Sequence, residues 1–423
     1  MSIVLPNSID YTQGLPSLPD ATQQIPVAAS PVNGAVFTPG SQVQFDLVNR
    51  GFLVPDSMYL SYNGTMTMTA VQTNLIGCPV YTPINRLDVQ IGSQTVDTIQ
   101  NYGNVMNMLS NTTLDVAQKF GLQSAFGYNN NTTAAPSLDL LDSRDFGASA
   151  GTFPWNVSAP LMSVLSNAER LLPLFAMPQV RITLTLDAVA NIFTAPAGVS
   201  AVSFSNFELR YKVVDMGGAV EQMVLSMGDK IYIKSQSFSS SSNSLASGST
   251  GYIELIYNQR YASVKSLFAI NGCTAAATVN RAFDSVDITT NNGEYSFSVG
   301  GVIYPQRALS SLVNRAGILQ ELRSALGSVY DRNNAFAISA VEFLYNSGST
   351  TTAAAPGKFY IGTSVEKLNS DSLLTGISTQ NSPISYRIST GTATGQVHTI
   401  TLVVNYDALF EIDTVNRQTA LKA

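Results

Sequence analysis

The sequence predicts an all-β fold, two consecutive sandwiches or jelly rolls with a few short helices, on three observations. The first is an internal repeat. Residues 87–109, LDVQIGSQTVDTIQNYGNVMNML, alternate in side-chain character, turn at Gly92-Ser93, resume at Thr95-Val96 and pass into an apolar helical stripe. Residues 295–326, YSFSVGGVIYPQRALSSLVNRAGILQELRSAL, repeat the plan with a turn at Gly300-Gly301, a short strand, Pro305 and an amphipathic helix. The second is the recurrence of short alternating segments bounded by Gly, Asn and Pro turns. The third is length: 423 residues exceed what one hydrophobic core usually serves.

Residues 1–40 hold six prolines, at Pro6, Pro16, Pro19, Pro26, Pro31 and Pro39, with little periodicity. Proline lacks the donor that a ladder requires, so this reads as an extended arm, with Ile3-Val4-Leu5, Tyr11 and Val27 as anchors for a neighbouring subunit. A first β domain is expected over 41–222. Its strands are Gln42–Leu47, Met58–Thr69, Arg181–Leu186 and Phe207–Val213, each apolar on one face and polar on the other, as in antiparallel sheets with one face on a core. Ile99, Tyr102, Val105, Met106 and Leu109 form a helical stripe.

The boundary is placed near 222, after Asp215-Met216-Gly217-Gly218 and before the strand Lys230–Lys234. The second domain, 223–423, continues with strands at 251–256, 284–289, 358–365 and 397–404. Its run 235–250, SQSFSSSSNSLASGST, reads as a flexible surface loop, because serines cannot build a core. Leu309, Leu312, Val313, Ala316, Leu319, Leu322 and Leu326 predict a longer helix, weakened by Gly317.

Charged residues make up 12% of the chain, against roughly 25% in an ordinary soluble domain, and the net charge is -6. No two of the 22 Lys and Arg residues are adjacent, and none precedes Arg50. Gripping nucleic acid by phosphate neutralisation needs clustered cations, so sequence-specific nucleic-acid binding is not expected. Cys78 and Cys273 lie in opposite halves without metal-ligand spacing and read as free buried thiols. The N-terminus lacks the basic and apolar regions of a signal peptide, and no stretch reaches the roughly 18 apolar residues of a membrane span.

The search for chemistry yields no catalytic, cofactor-binding or metal residue. His398 is the one histidine, on a strand where a solvated or interface imidazole is expected, which removes most histidine-dependent mechanisms. Asp139, Asp142 and Asp145, or Asp407, Glu411 and Asp413, could supply paired acids for glycoside hydrolysis, but their spacing suits loops and edges equally. Gly92 and Gly300-Gly301 are hairpin turns, not phosphate loops. The sequons at Asn63, Asn111, Asn130, Asn131 and Asn156 are expected by chance, and Trp155 reads as a packed loop anchor.

Gly92, Asp97, Tyr102-Gly103 and Met106-Met108-Leu109 resemble the hairpin-to-helix block of double jelly-roll major capsid proteins of double-stranded DNA viruses, the tailless-phage, adenovirus and giant-virus lineage. Arg50-Gly51-Phe52-Leu53-Val54-Pro55-Asp56-Ser57-Met58-Tyr59-Leu60 is similar to an early strand-turn-strand of its small eukaryotic members, the polinton-like viruses and virophages. Phe359–Lys367 followed by Leu374–Ser378 is similar to a late block of the same proteins.

The resemblance implies two consecutive eight-stranded jelly rolls, 41–222 and 223–423, in a structural virion protein. Three such chains form a homotrimeric, pseudo-hexameric capsomer that tiles an icosahedral capsid with neighbouring capsomers, penton and minor capsid proteins, assembled inside the host cell. It implies no enzyme activity and no cofactor. Large tower insertions are expected to be absent or small in a chain of this length. The cation-free arm, 1–40, would run beneath the shell toward an inner membrane, a minor protein or an adjacent capsomer. From another class, a secreted β-sandwich carbohydrate-binding protein or glycosidase fits the composition and would need an aromatic groove with paired acids.

Overall fold

The computed structural model describes residues 22–71, 73–128, 143–147, 149–193, 195–273, 283, 285–288, 293–327, 338, 343, 357–367, 374–390 and 397–423. The first half contributes β1 (Gln23–Ala29), β2 (Val36–Phe37), β3 (Gln42–Asp46), β4 (Phe52–Leu53), β5 (Tyr59–Met68), β6 (Asn74–Ile76), β7 (Ile84–Ile91) and β8 (Gln94–Ile99). After these come α1 (Tyr102–Thr113), α2 (Val116–Gly121), α3 (Gln123–Phe126), β9 (Ser143–Asp145), β10 (Gly151–Pro160), β11 (Leu172–Pro173), β12 (Val180–Leu186), α4 (Val189–Ile192) and β13 (Val199–Asp215). Helix α5 (Gly218–Ser226) leads into the second half. There follow β14 (Lys230–Leu245), β15 (Gly251–Tyr257), β16 (Val264–Cys273), β17 (Gly293–Val299), β18 (Val302–Ser310), α6 (Arg315–Leu326), β19 (Tyr360–Ser364), β20 (Ile384–Thr390), β21 (His398–Asp413) and β22 (Gln418–Lys422).

The two halves are wired identically. In the first, β1-β13-β5-β10 faces β3-β12-β7-β8, with the short β2, β4 and β11 added to the former sheet. In the second, β14-β21-β16-β19 faces β15-β20-β17-β18, with β22 added at the end of β21. Counting the eight principal strands of each half in chain order, both halves have sheets in the order 1-8-3-6 and 2-7-4-5. That is jelly-roll connectivity, and it makes the hairpins β7-β8 and β17-β18 structurally equivalent, whereas the helices that follow them pack differently, α1 on β7 and α6 on β19 and β16. Both turns place glycine at positive φ, Gly92 at 62° and Gly300 and Gly301 at 60° and 85°, where a Cβ would be strained.

Alternation fixes which side chains enter the core. Along β5, Leu60, Tyr62, Met66 and Met68 are buried while Ser61, Asn63, Thr65 and Thr67 point outward. They meet Phe204, Phe207, Leu209 and Tyr211 of β13 and, across the sandwich, Phe45, Leu87, Val89, Ile182 and Leu184. Tyr62 stacks on Phe207 at 4.8 Å, and Phe204 meets Trp155 edge-on at 6.1 Å.

Several expectations are corrected. Residues 23–29 are not arm but the strand β1, in register with β13. Pro26 is tolerated because its partner Lys212 turns both backbone groups the other way, its carbonyl accepting from Val54 N–H at 3.0 Å and its N–H donating to Ser57 Oγ at 2.9 Å. The serine-rich run is not a surface loop up to residue 245: it belongs to β14, paired with β21 from Lys230 to Leu245. The second helix starts at Arg315, because Asn314 caps it by accepting Gly317 N–H at 3.0 Å, and Leu309 stays in β18 opposite Tyr295. Of the expected strand at 284–289, the described residues form one bridge, Ser285 to Lys358. Trp155 lies on β10, opposite Gly64, and is not in a loop. Residues 1–21 of the expected arm lie outside the described residues.

Gly64 makes room for that indole: a Cβ there would lie 2.2 Å from Trp155 Cε2 and Cζ2. Gly64→Ala is expected to lower stability by about 1–3 kcal/mol through overpacking, read in denaturant unfolding by the fluorescence of the chain's one tryptophan.

Candidate functional site at the seam of the two sandwiches

Strand β21 is buried without interruption from Ile400 to Ala408, whereas its counterpart β13 alternates between buried and exposed positions. A strand with one face in water alternates; continuous burial means both faces are covered. One face of β21 meets its own partner sheet. The first half closes the remainder, with Asp97 and Val164 against the face of Ser235, Ser237 and Tyr406 and with Gln100 and Asn101 against the face of Ser240 and Ser242.

The centre of this seam is Asp97 of β8, which is 3% exposed. Its Oδ2 accepts Ser237 Oγ–H at 2.6 Å and Val164 N–H at 3.4 Å, and its Oδ1 accepts the Tyr406 hydroxyl at 2.8 Å. The Tyr406 ring is stacked on Tyr261 at 3.9 Å, which holds the hydroxyl in place. Hydrogen bonds line the seam on both sides. Ser235 Oγ donates to Val164 O at 2.5 Å, Ser240 Oγ to Gln100 O, Asn101 Nδ2 to Ser242 Oγ at 3.1 Å and Asn167 Nδ2 to Gln236 O at 3.1 Å. From α1, Asn107 Nδ2 donates to Phe283 O at 3.2 Å while its Oδ1 accepts Cys78 N–H, and Asn111 Nδ2 donates to the Tyr360 hydroxyl at 3.2 Å. Gly103 of the family-like pair permits the approach: a Cβ there would sit 2.9 Å from Tyr81 O and 3.1 Å from Phe283.

Small hydroxyl side chains suit this position because they let two backbones come close while satisfying polar groups that would otherwise be stranded. A buried carboxylate is costly without partners, and here burial pushes the Asp97 pKa above its ordinary 3.8 although Ser237 and Tyr406 favour the anion. Burial likewise pushes the Cys78 thiol up to about 11, as befits an inert core group.

The residues singled out in the sequence do not converge on a reaction centre. His398 is buried, not solvated, and burial lowers its pKa. Asp407 Oδ2 accepts from Ser263 Oγ at 2.7 Å and Thr375 N–H at 3.2 Å. Glu411 is paired with Lys230 and Lys422, and Asp413 caps the turn at Val415-Asn416. Asp145 caps Gly147 N–H at 2.7 Å. Asn111 is buried in the seam, and Asn63 and Asn156 face each other across β5 and β10. Asp139, Asp142, Asn130 and Asn131 lie outside the described residues. Asp97 stood out in the sequence, whereas Ser235, Ser237, Tyr261 and Tyr406 did not. The loss of alternation along TLVVNYDALF of β21 was the available sign.

Ser237→Ala leaves Oδ2 of the buried carboxylate with the long Val164 N–H bond alone and is expected to cost about 1.5–3 kcal/mol in thermal or denaturant unfolding. The raised pKa of Asp97 means that the folded chain holds this proton more tightly than the unfolded chain does. The stability it contributes is therefore present below 3.8 and is lost as pH rises through the raised folded value. Melting temperatures of wild type and Asp97→Asn, compared between about pH 4 and pH 7, should shift toward the wild type as pH falls.

No family model matches the chain, and no curated protein is similar to it in sequence. Solved structures are similar over nearly its whole length. The Faustovirus major capsid protein superimposes with a TM-score of 0.63 at 9% identity, covering 96% of this chain and 92% of that one. A quasi-atomic model of the PBCV-1 virus capsid gives 0.62 at 9% identity, covering 98% and 99%. The mavirus major capsid protein gives 0.54 at 11% identity, covering 100% and 95%. What is shared at these identities is the fold, and the chain has the double jelly-roll fold of these capsid proteins.

Proposed function

We propose that the chain is a structural major capsid protein, whose activity is to trimerise into pseudo-hexameric capsomers and tile an icosahedral virus shell. The observation that carries this reading is the whole-chain double jelly roll, wired identically in both halves and similar end to end to structures described as viral capsid proteins. The composition supports it. Low charge limits repulsion between like subunits and the desolvation cost at each contact, and outward faces such as Ser61, Asn63, Thr65 and Thr67 are neutral and polar. The seam supports it as well, since a tile that transmits lateral load needs its two halves locked together.

On this reading the chain is not an enzyme and works in the virion. The division near residue 222 falls within α5, between β13 of the first jelly roll and β14 of the second. Contact with an inner membrane or a minor protein falls to residues 1–21, because 23–29 and 36–37 are engaged in the first sheet. The carbohydrate-active alternative draws no support from Asp407, Glu411 and Asp413, each of which has its own structural partners.

Light scattering on the purified chain is expected to give a particle of about three times 45.1 kDa, or closed shells. A monomer at all concentrations, or one that binds or cleaves oligosaccharides, would overturn the proposal.

A further inference from the structure

At one end of the seam the two sandwiches leave a recess that their mutual hydrogen bonds do not fill, a cavity of about 330 Å³. The first half contributes the start of β7, the entry to α1 and the segment after β12; the second contributes the end of β16 and the start of β21. Ile84, Ile270, Phe283 and Thr401 of its lining are buried and form the floor. Ala190, Asn191 and Thr399 are exposed and form the rim.

The walls carry oxygens with nothing to accept. Asp187 takes Ala188 N–H and Asn191 Nδ2 at 2.7 Å and Asn85 Nδ2 at 3.5 Å, all on Oδ1. Among the described residues its Oδ2 has no donor, and neither do the Oδ1 atoms of Asn85 and Asn191, whose Nδ2 groups are turned to the carboxylate. Asn104 Oδ1 is buried without a partner as well. Gly103 and Asn104 of the first turn of α1 also line the cavity, and the Asn101 side chain before them does not cap that turn. The helix therefore keeps its partial positive end here.

These groups select the occupant by chemistry. An anion would face Asp187, a bare cation would face the start of α1 and an apolar floor, and an apolar molecule would leave the acceptors stranded. Hydroxyl groups both donate and accept, so several of them on one ring satisfy the walls while the ring's C–H face meets Ile84, Ile270 and Phe283. Ligand pockets run from roughly 300 to 1,000 Å³, and this one, at the small end, suits one ring and not a chain of them.

We propose that the seam cavity binds one neutral sugar ring, a hexose or N-acetylhexosamine unit, with Asp187 Oδ2 and the Asn85 and Asn191 carbonyls accepting its hydroxyl protons. The site is complete within one chain, so it does not rest on the assembly reading.

Ligand-observed saturation-transfer NMR on the full chain tests this. The probes are the methyl glycosides of glucose, galactose, mannose and N-acetylglucosamine, with sialic acid and calcium chloride as charged competitors. At least one glycoside is expected to receive saturation and to be displaced by neither competitor. Asp187→Asn replaces the open carboxylate oxygen at nearly constant volume, and Thr399→Trp narrows the rim at an exposed position. Each is expected to weaken glycoside binding by about tenfold or more while keeping the wild-type unfolding transition. If Asp187→Asn loses that transition, Thr399→Trp decides. The absence of glycoside binding, binding unchanged in a folded variant, or displacement by calcium or sialic acid overturns the inference. Light scattering on the same samples judges the assembly reading separately: binding by an assembled chain adds a site to it, whereas binding by a monomer leaves this inference standing and overturns that reading.

Discussion

A sheet buried on both faces must leave no polar group stranded on either, and the β14-β21-β16-β19 sheet is in that position. Leu267, Leu402 and Val404 on one face belong to an apolar core. The first half closes the rest of β14 and β21, and the chain meets that demand with hydroxyls and amides, Asp97 foremost among their partners. The carboxylate ties β8 to β14 and β21 at once, so losing it would release both contacts together. Hydrogen bonds to a buried charge are among the stronger ones available, and they are directional where apolar packing is not. The seam therefore fixes the relative placement of the halves as well as holding them together.

Much of the fold was legible in the sequence because its information is local. The alternation of β3, β5, β12 and β13, the glycine turns at 92 and 300–301, and the duplicated block all depend on neighbours in the chain. The seam was harder to read because its partners are distant: Asp97 meets Ser237 across 140 positions and Tyr406 across 309. Asp97 could be marked as unusual, but its role depended on those two residues. The serines of β14 were misread for a related reason. Composition treats serine as loop-forming, and only the facing backbone of Val164 and Gln100 turns these hydroxyls into structural groups. Leu312 and Val313 were drawn into a helix by periodicity, whereas the Asn314 cap leaves them outside it and exposed.

Duplication followed by one internal contact leaves the chain asymmetric. The low charge of the chain and its Ser, Thr and Asn outer faces lower the cost of bringing like surfaces together. Single-particle imaging of the purified assembly tests this most directly. The expected result is six sandwich-shaped densities around a threefold axis, two from each chain. A twofold dimer joined by identical surfaces, or isolated pairs of sandwiches, would contradict it.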